Sequence, residues 1–450
     1  MDEQKYWNPI IETLPREKLQ QLQFKKFKRI FRWAYEHSKF YKGFYRDAGI
    51  EPGDIKSFED VHKVPKIEKS MMRDIQGEGK EPYPFGEILC VPTEELTCFR
   101  QTSGTTGQPV YWGDTWQDWD WGVETYAQIL WAQGYRSSDR FFLPFGYNIF
   151  IAFWTAHYAA EKLGCEVIPG GVLNTEARIL KMQELKATAM AATPSYVLNM
   201  ASVAKNKLGI DPAKDLYIEK ITVAGEPGGS IPASRKRMED AWGAKVYDQA
   251  GSTELGHWGF ECDCQSGLHV NEAFFLFEIE DIDTGEAITE PGKKGRMVAT
   301  PLDRMALPCI RFDSKDIVQW NKDECECGRT FRRLDGGIIG RTDDITKVKG
   351  VLFAPSAVEE VVRGIQQLGD EYQIIVSRKG DTDSILLKVE VMPGCENNLD
   401  EIKGNLSSQL RLKTNLNYNI EFEGYGSLPR FEGKSKRFQD LRKKQGDGKR

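Results

Sequence analysis

Phe141-Phe142-Leu143-Pro144-Phe145-Gly146-Tyr147 opens the stretch that decides the fold. Up to Gln249, short apolar runs alternate with longer amphipathic segments. The further runs are Cys165 to Ile168, Ala189 to Thr193, Lys220 to Ala224 and Lys245 to Tyr247, and each has the length of a buried strand. Between them, Phe150 to Leu163, Glu176 to Leu185, Tyr196 to Lys207 and Ala233 to Trp242 have the pattern of helices. This alternation predicts an α/β fold, a parallel sheet with crossover helices on its faces. Ligands of such sheets bind at the carboxyl ends of the strands. Here those ends read Pro144-Phe145-Gly146-Tyr147, Thr193-Pro194-Ser195-Tyr196, Gly225-Glu226-Pro227 and Asp248-Gln249-Ala250-Gly251.

Toward the C-terminus the pattern changes. From about His269 to Trp320 it is strand-rich, with Phe274 to Ile279, Arg296 to Val298 and Ile310 to Phe312 between Gly, Pro and charged turns. This predicts a β subdomain of the large unit, over about 269–340. After Gly340-Arg341-Thr342-Asp343-Asp344 comes a small α+β pattern: helix Ser356 to Ile365, strands Tyr372 to Ser377 and Ser384 to Val391, helix Asn398 to Lys413, and strand Asn419 to Phe422. The chain therefore divides into residues 1–342 and a smaller domain over 343–450, of ordinary domain size.

Composition narrows the function. A chain of 450 residues is too long for one ordinary core, and 40% hydrophobic with 28% charged residues is globular composition. The net charge of −6 gives no electrostatic footprint for nucleic acid, and the basic run from Lys434 to Arg450 reads as a solvated terminus. Met1-Asp2-Glu3-Gln4 lacks the basic region and apolar core of a signal peptide, and no apolar run reaches spanning length. A cytoplasmic chain without membrane partners is expected. Nine cysteines are too few for a disulfide framework, yet Cys262, Cys264, Cys325 and Cys327 crowd together.

North of the sheet pattern lies Thr102-Ser103-Gly104-Thr105-Thr106-Gly107-Gln108-Pro109. Glycines that admit close approach, beside hydroxyls and amides that donate hydrogen bonds, suit a phosphate. It is not the P-loop, which ends in Gly-Lys followed by Ser or Thr. A plain surface turn is the alternative reading of this loop alone.

Together these segments resemble the AMP-forming acyl-CoA ligases, within them the phenylacetate–CoA ligase branch. The motifs run in family order: Thr102 to Pro109, Ala156-His157-Tyr158 with Glu161 to Gly164, Gly225-Glu226-Pro227, Asp248 to Glu254, Arg311 to Asp316, Gly340 to Asp344, and Gly426 to Arg430 with Gly433-Lys434. The resemblance implies two half-reactions. A small carboxylic acid attacks ATP to give an acyl-adenylate and pyrophosphate, and the thiol of coenzyme A then displaces AMP.

The site residues follow from the same resemblance. Ser103, Gly104, Thr105, Thr106 and Gly107 would cradle the β- and γ-phosphates. Glu254, after Gly251, Ser252 and Thr253, would hold Mg2+, a hard cation that prefers oxygen. Gly225, Glu226 and Pro227 would line the purine, Asp248 would accept from its exocyclic amine, and Asp316 from the ribose hydroxyls. Ala250 stands where the family has Tyr, so weaker nucleotide affinity is expected unless Tyr247 or another aromatic compensates. Lys434 would bridge the attacking carboxylate and the α-phosphate, lowering the repulsion that opposes adenylation. Asp343 would be the hinge of the small domain, with Arg341 steadying the nucleotide and Lys349-Gly350 beside the pantetheine tunnel.

Two further sites are implied. Phe-Glu-Cys, Gly-x-His-Val and Cys-x-Cys-Gly-Arg map a structural zinc site onto Cys262, His269, Cys325 and Cys327, leaving Cys264 spare; free thiols are the alternative. The acid would lie against Tyr147, Phe150 and Ala224, where Ala152, Phe153 and Trp154 replace glycines of the phenylacetate ligases. These side chains either shrink the pocket, favouring a small aromatic or branched hydroxy acid, or face the sheet core. His157 is expected to pack or to support the pocket from behind. A homodimer is compatible with the resemblance. Two other readings are a non-CoA acceptor, as in coenzyme F390 synthetases, and a nucleotide-binding protein without catalysis; Glu254, Asp316 and Lys434 together argue against the latter.

Overall fold

The computed structural model describes residues 4–102, 108–343, 346–348, 351–379, 382–431 and 435–442. The chain forms two compact units: 1–172, 187–191 and 247–337 make the first, and 173–186, 192–246 and 338–450 the second.

In the first unit the strands Arg140–Leu143, Glu166–Pro169 and Ala189–Ala192 pair in parallel, with Arg140 opposite Glu166 and Phe141 opposite Ala189. Helix Ile151–Leu163 makes the crossover and stops at Gly164, whose φ of 87° no β-carbon residue adopts readily. Its Ala156, Ala159 and Ala160 are buried and let it lie close to its neighbours. Helix Trp116–Ala132 is buried on nearly every face and starts at a reciprocal cap between Thr115 and Asp118. Strands Phe275–Glu280, Lys294–Pro301 and Phe312–Gln319 form an antiparallel sheet. The predicted strand at Ile310 to Phe312 is displaced: pairing begins at Phe312, because Arg311 has φ 49° and turns its guanidinium onto half-buried Glu278 and buried Glu280.

In the second unit, helices Thr175–Glu184, Pro194–Val203 and Pro232–Trp242 accompany strand Lys220–Val223. Helix Pro194–Val203 ends four residues earlier than its apolar pattern suggests and loosens into a π-turn over Ala204–Leu208. The C-terminal part is a four-stranded sheet with helices Pro355–Gly364 and Leu399–Thr414. Its antiparallel hairpin, Leu368–Lys379 with Thr382–Val391, is flanked in parallel by Asn419–Glu423 on one side and Phe438–Asp440 on the other. The last strand corrects the reading of a solvated basic tail for its described part, residues 435–442. Arg437 is buried against Glu371, and Arg442 pairs with Asp383 and Asp440. Among the described residues no helix is long and apolar enough to cross a membrane.

Candidate active site

In the first unit, strands Leu96–Gln101 and Tyr111–Thr115 pair antiparallel as a hairpin whose connection in sequence carries the Gly/Ser/Thr-rich stretch. A reciprocal pair closes its base: the Thr102 amide donates to the Val110 carbonyl and the Val110 amide to Thr102 Oγ1, both at 3.0 Å. Ser103, Gly104, Thr105, Thr106 and Gly107 themselves lie outside the described residues, as do Lys349, Gly350 and Lys434.

Glu254 is buried, and its carboxylate meets Lys69 Nζ at 2.7 Å. Burial opposes its ionisation, but the Lys69 ammonium outweighs this and, with help from Ser252, holds the carboxyl below its usual range. The turn that carries it is clamped from beneath. Arg304 donates to the carbonyl of Thr253 at 2.8 Å and forks onto Asp114 at 2.7 and 2.9 Å, with both side chains buried. Ser252 Oγ accepts from the Leu255 amide. An oxygen donor kept charged in a buried, braced turn fits a hard divalent cation.

Asp248 and Asp316 lie half-buried on the strands Lys245–Ser252 and Phe312–Gln319. The backbone of Asp248 is engaged by Glu261 in both directions, its amide donating to the carboxylate and its carbonyl accepting from the amide. Asp316 sits in a bulge: pairing jumps from Arg296 opposite Ile317 to Val298 opposite Asp313, and Lys315 takes φ 65°. Bulges re-aim side chains, which suits a ribose-binding carboxylate better than a regular strand does. Ala250 is buried opposite Gly259, while Tyr247 is itself buried and spends its ring on packing.

At the mouth of helix Ile151–Leu163, Tyr147 Oη lies 2.9 Å from His157 Nδ1, and His157 Nε2 lies 3.0 Å from Glu161. Burial and the Glu161 charge raise the Tyr147 phenol above its usual range, so it stays protonated. Phe153 stacks on Phe145 at 4.3 Å and Trp154 packs on the edge of Tyr147, both half-buried. Thr155, Ala156 and Ala159 form the buried face of the helix, while Trp154 packs half-buried against the core and Ala152 is exposed. Phe150 stands at the position before the helix start, where its side chain makes no capping bond.

Cys262, His269, Cys325 and Cys327 are buried with their ligand atoms all within 4.8 Å of one another. Cys262 and Cys325 sulfurs are 3.6 Å apart and Cys327 Sγ is 3.5 Å from His269 Nε2. Tetrahedral zinc with bonds near ~2.3 Å places its sulfurs about 3.8 Å apart, so the set fits. His269 Nδ1 faces the Phe331 carbonyl at 3.2 Å, the outer partner a zinc-binding imidazole needs. Cys264 Sγ lies 3.8 Å from Asp263 Oδ1, and Cys262, Asp263 and Cys264 form a second, partly exposed set of ligand atoms within 4.8 Å. The start of the chain covers this loop. Tyr6 donates to the Cys327 carbonyl, Glu12 pairs with Arg329 at 2.6 Å with both buried, and a β-carbon on Gly328 would meet Tyr6 Oη at 2.7 Å.

In the second unit, Gly225 turns the chain at φ 91° and is exposed with Pro227. Ala224, half-buried, donates its amide to the Ala192 carbonyl. Glu226 accepts from the Ser195 amide at 2.7 Å and from the Ser435 amide at 2.8 Å. Among the described residues flanking 432–434, Glu390 takes Arg430 and the Leu428 amide, and Glu371 takes Arg437. Arg341 forks onto exposed Asp343 at 2.9 Å twice.

Over 350–442 the chain matches the family model of the AMP-binding enzyme C-terminal domain. It is 33% identical to the phenylacetate-coenzyme A ligase of Thermus thermophilus over 97% of this chain and 100% of that one. The enzyme of the same name from Escherichia coli is 31% identical, over 96% and 97%. The chain belongs to the phenylacetate–coenzyme A ligase family. Among solved structures, 2-hydroxyisobutyryl-CoA ligase in its postadenylation state with an acyl-AMP is 28% identical with a TM-score of 0.91, covering 98% of this chain and 93% of that one. The same enzyme with acyl-AMP and CoA in the thioesterification state gives 0.73 at 29% identity, over 97% and 92%. Family membership accounts for the mixed α/β architecture, and it sets the brace beneath Glu254 in an acid–CoA ligase. Sequence reasoning missed that brace, since nothing in the local residues around Asp114 and Arg304 signals a partner 190 positions away.

Proposed function

We propose that this family member activates a small aromatic or branched hydroxy carboxylic acid with ATP, forming an acyl-adenylate and pyrophosphate, and passes the acyl group to coenzyme A. The observation that carries this reading is Glu254, a buried carboxylate held ionised on a clamped turn inside a chain that aligns with acid–CoA ligases end to end. Glu254 would hold Mg2+, which supplies charge neutralisation for the triphosphate.

The chain's own residues do the rest. Ser103 to Gly107 donate hydrogen bonds to the β- and γ-phosphates, the backbone of Gly225 to Pro227 lines the adenine with Asp248, and Asp316 takes the ribose. Lys434 brings an ammonium between two anions that otherwise repel, the acid and the α-phosphate. Asp343 serves as hinge between residues 1–342 and a mobile domain over 343–450, with Lys349-Gly350 lining the thiol's approach. Tyr147, oriented by His157, offers a protonated hydroxyl to the acid's substituent. Cys262, His269, Cys325 and Cys327 hold zinc as a staple of the fold; four protein ligands leave no open position.

The test is pyrophosphate release across a panel of carboxylic acids, with and without coenzyme A. Pyrophosphate and AMP with a subset of small acids, and a thioester only when coenzyme A is added, are expected. Orthophosphate and ADP across the whole panel would overturn the reading.

A further inference from the structure

Glu226 spends both carboxylate oxygens on backbone amides from distant parts of the second unit. Oε1 accepts from Ser195 at 2.7 Å and Oε2 from Ser435 at 2.8 Å. Ser195 is the second residue of helix Pro194–Val203, where an amide has no partner inside the helix and the helix dipole favours an anion. The turn holding Glu226 is fixed against that helix. Gly228 has φ 146°, and a β-carbon there would lie 2.6 Å from Pro194 Cβ. One end of the bridge is therefore rigid.

The other end adjoins Lys434. Ser435 is tied down a second time, its Oγ accepting from Arg437 at 2.9 Å, and Arg437 is forked onto Glu371. Both donors to Glu226 are N–H groups, so an acceptor is required at both oxygens. A carboxylate supplies two, whereas a glutamine supplies one and turns an NH2 toward the other amide. Lining a purine requires no such pair of acceptors.

We infer that Glu226 is a positioning residue for the adenylation step: its carboxylate clasps the backbone next to Lys434 and holds that lysine's segment in the arrangement used to form the acyl-adenylate. The inference rests on the reading of Lys434 as the adenylation lysine. The clasp has no part in thioester formation, when the lysine is not in use.

Glu226→Gln, which keeps the volume, should lower the turnover of carboxylate-dependent ATP–pyrophosphate exchange by about tenfold or more, as for loss of a charge-assisted hydrogen bond. The KM for ATP and the rate of thioester formation from supplied acyl-adenylate and coenzyme A should stay at wild-type values. Glu226→Asp, which keeps the charge, should recover part of the exchange. Ser435→Pro deletes the same hydrogen bond from the donor side, so it should show the same bias even if Glu226→Gln fails to fold, and the double variant should be no slower than the slower single. Raised KM for ATP with both half-reactions slowed would assign Glu226 to the nucleotide and overturn the clasp. Lys434→Ala, run in parallel, separates the two claims. If it abolishes exchange while Glu226→Gln leaves exchange intact, the clasp alone is wrong; if it leaves exchange intact, the lysine reading is wrong.

Discussion

Arg304 and Asp114, 190 residues apart in sequence, form a forked ion pair at 2.7 and 2.9 Å with both side chains buried, and the same guanidinium holds the Thr253 carbonyl. Removing one partner strands the other charge in the interior. Arg304→Ala should cost about 3–5 kcal/mol of stability, and Asp114→Ala a similar amount. The double variant Asp114→Leu/Arg304→Met, which buries no charge, should be less destabilised than either single. Urea unfolding of the four proteins checks this, and additive losses would argue against the pair as described.

Lys434→Ala and Asp343→Pro should fail in opposite halves of the reaction. The first should lose pyrophosphate exchange and retain thioester formation from supplied acyl-adenylate. Asp343 is exposed and, among the described residues, its carboxylate pairs with Arg341 two positions away; proline fixes φ near about −65°. That variant should retain exchange and lose the thioester step, as rapid-quench measurement of each half would show.

Metal analysis of the purified protein should find about one zinc per chain, the number four ligands in one cluster can hold. Cys327→Ser should lose the metal and lower the melting temperature, while Cys264→Ser keeps it. Chelation should lower the melting temperature of wild type and leave that of Cys327→Ser unchanged. Equal metal in wild type and Cys327→Ser would remove the assignment.

His257 gives an acid-stability signature. Burial, then the nearby Arg304 charge, pushes its pKa from 6.5 down to about 3; its Nε2 lies 2.6 Å from Thr155 and its ring stacks on Tyr126 at 4.3 Å. Above pH 6.5 the ring is neutral folded or unfolded and contributes no pH dependence. Below it the unfolded chain gains a proton that the native state refuses, so stability falls by up to ~1.4 kcal/mol per pH unit until about pH 3. His257→Gln should remove this component of slope. Unfolding free energies compared from neutral pH to pH 4.5 measure the difference.

What could be read from sequence followed physical rules that act locally. Phe141 to Leu143 and Ala189 to Ala192 are buried on both faces, so their runs are short and continuously apolar, and the strands lie where those runs do. The helix Trp116–Ala132 went unread because burial on nearly every face erases the amphipathic period. Phe438–Asp440 was hidden for another reason: three residues within a basic run carry no pattern, and Arg437 is buried only because Glu371 waits for it. Residue type and order offered five candidate ligands, from which the family resemblance picked out Cys262, His269, Cys325 and Cys327; their convergence depends on strand Leu268–Val270 pairing with both Gly256–Phe260 and Arg333–Leu334. Glu226 is the converse case, a motif residue whose position was legible and whose partners were not.

Tyr6 and Glu12 sit over Cys327 and Arg329 like a flap over a clasp. Peeling back the first dozen residues would bare sulfur to solvent and strand a guanidinium in the interior. Thiol labelling of this protein is consequently a gauge of how firmly its front end is seated, and a bulky fusion there would be felt some three hundred positions downstream.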